Sequence, residues 1–218
     1  MSTLRYILGN WDTLGPQVET HVVIVVLAMA VAGVSGLALG IAASRWARFA
    51  AVVLAVTSTI LTVPSFALFG LLSIWVGLGS PPVVVGLILY ALLPVTRNTR
   101  AGIASVSPAV TEAARGMGMS PLQVLLRVEL PLASPVILAG LRQATVMIVA
   151  IATVGATVGA NDLGQPIIAA VGRSTGGLDR VLAGVIPVAL IGIAADLVLG
   201  GLQRGLARGR GGVAVAAT

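Results

Sequence analysis

Apolar positions run along this chain in stretches too long for an ordinary soluble helix, and the polar positions are gathered into the gaps between them. Residues 22–44 hold no charge and are followed at once by Arg45 and Arg48. A helix needs about 20 apolar residues to cross the hydrocarbon core, so this stretch predicts a first span. Gly33, Ser35, Gly36 and Gly40 along it are small, which lets helices approach closely in lipid. Residues 49–79 are again free of charge, too long for one straight helix and short for two. Pro64, in TVPSF, removes a backbone hydrogen bond mid-run and predicts a bend. That bend is either a plain kink or a break lining a pathway, since irregular backbone at depth survives only against protein or water. SPP at 80–82 reads as a turn. Residues 83–96 predict the next span, with Arg97 and Arg100 directly after it.

The polar interruption at 101–131 has its own punctuation. Ser107-Pro108 is a helix start, serine as cap and proline at the first helical position. That helix carries Glu112 and Arg115 three apart on one face, and Gly116 and Gly118 stop it. Ser120-Pro121 starts a second helix, with Gln123 placed to complete a capping box. Pro131 is read as its end. The expected product is a short helix, a glycine turn and a second short helix, all in water.

Residues 132–158 return to the membrane and end in the glycine-rich TVGATVGANDLG, with a turn expected at Asn161-Asp162. Residues 165–171 are too short to span and predict a half-helix. RSTGGLDR, at 173–180, reads as a polar loop, and 181–202 as the last span. Residues 203–218 are expected to be a disordered tail. Residues 1–20 mix Leu4, Tyr6, Ile7, Leu8 and Trp11 with polar groups, as a short interfacial segment would. With no apolar core of their own, they are not read as a cleavable signal. His21 is placed at the membrane boundary.

Charge then orients the spans. All 13 basic residues are arginine, and the chain is 57% hydrophobic but only 9% charged, against about 25% in soluble domains. Arginines gather on the cytoplasmic side of spans. Five spans put nine of them there, with the amino end outside and the carboxyl end inside. Splitting 49–79 into two spans, giving six, would put Arg97 and Arg100 outside. Basicity spread through inter-span gaps does not suit nucleic acid, which asks for a clustered basic face. The chain has no cysteine, so thiolate chemistry is excluded. Arg142 and Asp196 are the charges left within spans. A pair between them is one reading; snorkelling by Arg142 alone, or pairing with another subunit, are the competing ones. Phe66, Phe69, Trp75 and Tyr90 are read as packing residues rather than a cation-binding cage.

The string EAARGMGMSPLQVLLRVELP resembles the coupling motif of ABC importer permeases: Glu112, Ala113, Ala114, three residues, Gly118, nine residues, Val128, one residue, Leu130, Pro131. Valine stands at 128 where isoleucine is usual. TVPSFALFGLL, LLPVTRNTRAGIASVSPAVTEAARGMGM and ATVGATVGANDLGQPI look like permeases of the osmoprotectant importers, which carry glycine betaine, choline, carnitine and related solutes. Asn161-Asp162 stands where that family commonly has two glycines. The resemblance covers about 21–202. It implies an all-α integral membrane fold, the five-span core of a type I ABC importer permease with cytoplasmic coupling helices, in a prokaryotic plasma membrane. It implies coupling to an ATPase through Glu112, Ala113, Ala114, Arg115, Gly118, Ser120, Pro121, Leu130 and Pro131. It also implies partners: cytoplasmic ATPase subunits, a second permease copy or paralogue, and an extracytoplasmic solute-binding protein. The chain has no GxxxxGK[ST] loop, so ATP and Mg belong to the partner and no cofactor is expected here. Import of another small solute such as an amino acid remains open, as does an ATPase-independent channel or scaffold. A membrane enzyme is disfavoured by the single histidine and the lack of a clustered catalytic set.

Overall fold

The computed structural model describes residues 3–171 and 177–208. After a short α1 (Thr3–Gly9), helix α2 runs from Trp11 to Arg45. Then come α3 (Ala47–Thr62), α4 (Ser65–Val76) and α5 (Ser80–Ala104). Two short helices, α6 (Pro108–Gly116) and α7 (Pro121–Val124), lead through a π turn at Leu125–Glu129 into α8 (Leu130–Ala152). A 3-10 segment (Thr153–Val158), α9 (Gly164–Ala170) and α10 (Gly177–Arg208) complete the chain. Among the described residues all regular elements are helical.

Helix α5 is the centre. It packs against α2, α3, α4 and α8, while α10 lies on α8 and α9. The core is built from Ile24, Ala28 and Ala32 of α2, Phe69 of α4, Val83, Leu87 and Tyr90 of α5, and Ile148 and Val149 of α8. Lipid offers no hydrophobic drive to helix pairing, so close approach and dispersion must hold the bundle. The glycines of the first span do this at two points. A β-carbon on Gly36 would lie 2.8 Å from Val95, and one on Gly40 would strike Thr99.

The run at 49–79 is more than kinked. Helices α3 and α4 meet at 102° around Val63-Pro64. Val63 is extended, as a residue before proline prefers, and its carbonyl is freed from the helix. Tyr90 hydroxyl donates to that carbonyl at 2.8 Å, so the break is satisfied by the central helix. Phe69 and Tyr90 are core residues, whereas Phe66 and Trp75 are largely exposed. Among the described residues four helices are long and apolar enough to span alone, and the bent pair supplies a fifth crossing if it counts as one.

Several boundaries differ from expectation. The first spanning helix, α2, begins at Trp11, not near residue 22, and takes in Asp12, Pro16 and Glu19. His21, read as a boundary residue, lies within that helix and is fully buried in the protein, with Nε2 3.1 Å from the Val149 carbonyl. SPP at 80–82 is not a turn but the first turn of α5, where missing proline N–H groups cost nothing. The reversal is made just before it by Gly77 and Gly79, at φ +82 and +100. Helix α5 also continues through Arg97 and Arg100 to Ala104. The last span continues past Leu202 to Arg208, so the tail is helical well beyond 203, and residues 209–218 lie outside the described residues. Of the polar loop at 173–180, residues 177–180 already belong to α10 and 173–176 are outside the described residues. The half-helix at 165–171 is present as α9.

Candidate functional site: a helical lever at one end of the bundle

Helix α6 is short and opens on Ser107-Pro108. Ser107 is extended but makes no side-chain cap bond, so proline at the first position rather than the serine hydroxyl sets this start. At the far end the backbone closes in a Schellman pattern. Gly118 N–H donates to the Arg115 carbonyl at 2.9 Å, and Met119 N–H donates to Ala114 at 3.2 Å. That geometry needs a left-handed residue, and Gly118 supplies it at φ +85. Gly116 is the last residue of the helix and makes no turn of its own.

Two residues further on, Ser120 starts α7. Gln123 N–H donates to Ser120 Oγ at 3.4 Å, and Ser120 N–H donates to Gln123 Oε1 at 2.8 Å. The capping box is complete, with Pro121 at the first helical position. The second helix does not stop at Pro131. The π turn places the Leu130 N–H on the Leu125 carbonyl, five residues back. The wider register admits Pro131, which has no N–H to give, without ending the helix. A continuous rod therefore runs from Pro121 through Leu130 and Pro131 into the bilayer span.

Ala114 is buried at 3% exposure and seats α6 on the bundle. Glu112, Ala113, Arg115 and Met117 are exposed, Met117 at 77%. Glu112 and Arg115, though three apart, form no ion pair with each other. Beside the lever lies a groove of about 650 Å³, lined by Trp46, Arg115, Leu122 and Leu125 among others. At its base Arg45, the last residue of α2, clasps Glu129. Arg45 Nη1 donates to Oε1 at 3.2 Å and Nη2 to Oε2. Glu129 is 4% exposed. Sequence reasoning passed over this clasp, because Glu129 lies in a stretch that already looked polar and solvated. Its place between the motif residues Val128 and Leu130 was the available signal.

Two other charged sites lie away from the lever. Arg142 and Asp196 meet in a two-pronged contact, Nε to Oδ1 and Nη2 to Oδ2, the latter at 2.6 Å. At the opposite end of the bundle, Asp162 is fully buried in the connection before α9. The sequence predicted only a turn there. Oδ1 accepts from Gly164 N–H at 2.8 Å, while Oδ2 has no hydrogen-bond partner among the described residues. Burial pushes this carboxyl up to about 7, opposed in part by the Gly164 bond. A carboxyl raised in the fold takes up a proton on folding, so the stability it contributes is complete below the unfolded value near 3.8 and is lost as pH rises through about 7. Purified protein should therefore melt at a higher temperature at pH 5 than at pH 8. Asp162→Asn should flatten that difference. A wild-type midpoint unchanged between the two pH values would contradict a neutral buried acid.

Residues 19–208 match the family described as the inner membrane component of binding-protein-dependent transport systems. The chain belongs to that family. It is similar, at 44% identity over 85% of this chain and 81% of the relative, to the glycine betaine/carnitine/choline transport system permease protein OpuCD of Bacillus subtilis (strain 168). It is 39% identical, over 93% of this chain and 89% of the relative, to the choline transport system permease protein OpuBD of the same organism. Among solved structures it resembles an inward-facing form of the MetNI methionine ABC transporter, with TM-score 0.73, 22% identity, and cover of 88% of this chain and 97% of that one. The fold is thus the type I importer permease core, and this is a multi-pass membrane protein.

Proposed function

We propose that this chain is the membrane-spanning subunit of an ATP-driven importer for quaternary-ammonium compatible solutes: glycine betaine, choline, carnitine or a close analogue. Its amino end is outside and its carboxyl end cytoplasmic. An ATPase subunit on another polypeptide holds ATP and Mg and docks on α6 and α7. A solute-binding protein delivers from the other face, and a second permease copy or paralogue completes the pore. The observation that carries this reading is the lever: opened by proline at both starts, capped at the second, closed by a left-handed glycine, and continuous with a span, in a chain whose relatives are named for these solutes. A push delivered at Glu112 or Ala113 passes along a stiff path instead of being absorbed by loop motion.

The test is uptake into vesicles carrying this chain with its cognate ATPase and binding protein. Labelled glycine betaine, choline, carnitine and proline betaine are compared with methionine. At least one quaternary-ammonium solute should accumulate, and only with ATP. Accumulation of methionine alone would move the substrate to the amino acids. Solute entry that ignores ATP would replace the importer with a channel.

A further inference from the structure

The Arg142–Asp196 pair sits deep in the bundle yet is not enclosed by it. Arg142 lies about 18 Å along α8 from Leu130 and about 15 Å short of Ala152, at 1.5 Å per residue. Its side chain is 40% exposed and that of Asp196 33%. Gln143, next to Arg142, is exposed and its side chain makes no hydrogen bond among the described residues. Charged groups at such depth face protein or water, because hydrocarbon solvates neither. Such a pair fits a face of α8 and α10 turned toward protein or water.

Two grooves meet at the pair. One, of about 420 Å³, is walled by Val149, Val188, Ile193 and other apolar groups. The other, of about 530 Å³, continues toward the lever end and is lined by Arg142, Gln143 and Gln203 among others. Both include Val146 and Asp196. They join into one furrow along α8 and α10, apolar toward the Asp162 end and polar toward the lever, with the ion pair at the junction.

We infer that this furrow is one wall of the solute path and that Arg142 and Asp196 together read the charge pattern of what passes. The inference rests on the solute class proposed above; the second permease subunit forms the facing wall. A two-pronged arginine–carboxylate contact is strong and directional, and opening it leaves two charges unsatisfied. A zwitterion replaces both partners at once, its carboxylate on the Arg142 guanidinium and its trimethylammonium on the Asp196 carboxylate. Choline satisfies only Asp196. An uncharged solute satisfies neither. The apolar half of the furrow suits the methyl groups of the ammonium head.

Two measurements on the assembled importer test this. The chain has no cysteine of its own, so Gln143→Cys gives it a single thiol, read against the assembly without that change. A trimethylammonium-bearing methanethiosulfonate added in water should modify it, and carnitine should slow the reaction. A thiol that stays unmodified is out of reach of water, in lipid or packed protein, which overturns the pathway wall. Arg142→Gln should lower the ratio of glycine betaine to choline uptake at least tenfold. An unchanged ratio, with both rates falling together, makes the pair a mere staple between helices and overturns the charge-reading role. Because Gln143→Cys leaves the pair intact, labelling decides the wall even if Arg142→Gln fails to assemble. A wild-type importer that accepts no quaternary-ammonium solute overturns the functional reading itself, and the labelling result still stands alone.

Discussion

Gly118→Val leaves the chain in the membrane and ends transport. The expectation rests on backbone geometry, not on crowding. A β-carbon at position 118 would meet nothing within 4 Å. Yet Gly118 holds φ +85, where a branched side chain is strained by about 1–3 kcal/mol. The chain can relieve that strain only by giving up the two Schellman bonds, which changes the angle between α6 and α7. Those helices lie outside the main core, seated through Ala114 and Val124, so insertion and bundle packing survive. What fails is transmission. Glu112→Lys tests the same lever without touching its geometry. Glu112 is exposed and has no ion-pair partner among the described residues, so reversing its charge should act on a docked partner. Uptake should fall to background in both variants while the amount in the membrane fraction is unchanged. Normal uptake in both would remove the coupling role from this element.

Much of this lever was legible in the sequence because its signals are local. Ser120, Pro121 and Gln123 define a start within four residues, and Gly118 defines a stop by itself. The bend at Pro64 is legible for the same reason, although its size is not: 102° depends on Tyr90 reaching the freed carbonyl from another helix. Apolar runs marked where charge begins and ends, not where helices do. That is why α2 starts at Trp11 and α10 extends to Arg208 beyond the charge boundaries. Pro131 misled because a proline normally ends a helix; a π turn, which has no simple sequence signature, carries the chain through. Arg142 and Asp196 could be matched because each is a lone charge in an apolar run. Glu129 and Asp162 could not be singled out. Both occur among polar or glycine-rich neighbours, and only the tertiary fold buries them.

The burial of Glu129 makes its clasp the second strong point of sensitivity. Glu129 is 5% exposed in its side chain and Arg45 38%, so the two halves are not equivalent. Removing Arg45 strands a carboxylate in a site it cannot leave, because the π turn and α8 fix its backbone. Breaking a buried pair from that side costs about 3–5 kcal/mol. Removing the charge of Glu129 instead leaves a guanidinium that can swing into water, at a cost near that of one lost hydrogen bond, about 1 kcal/mol. Arg45→Ala should therefore lower the melting temperature far more than Glu129→Gln. The double variant Arg45→Ala with Glu129→Gln should recover most of the loss, since no charge is then stranded. Thermal unfolding of the detergent-purified protein measures all three. Equal effects of the two single changes, or simple addition in the double, would mean that water reaches Glu129 and the clasp is only a surface contact. The clasp also joins the end of α2 to the root of the lever, where α7 turns into α8. Glu129→Gln, which spares stability, should for that reason lower solute uptake per ATP hydrolysed more than it lowers the melting temperature.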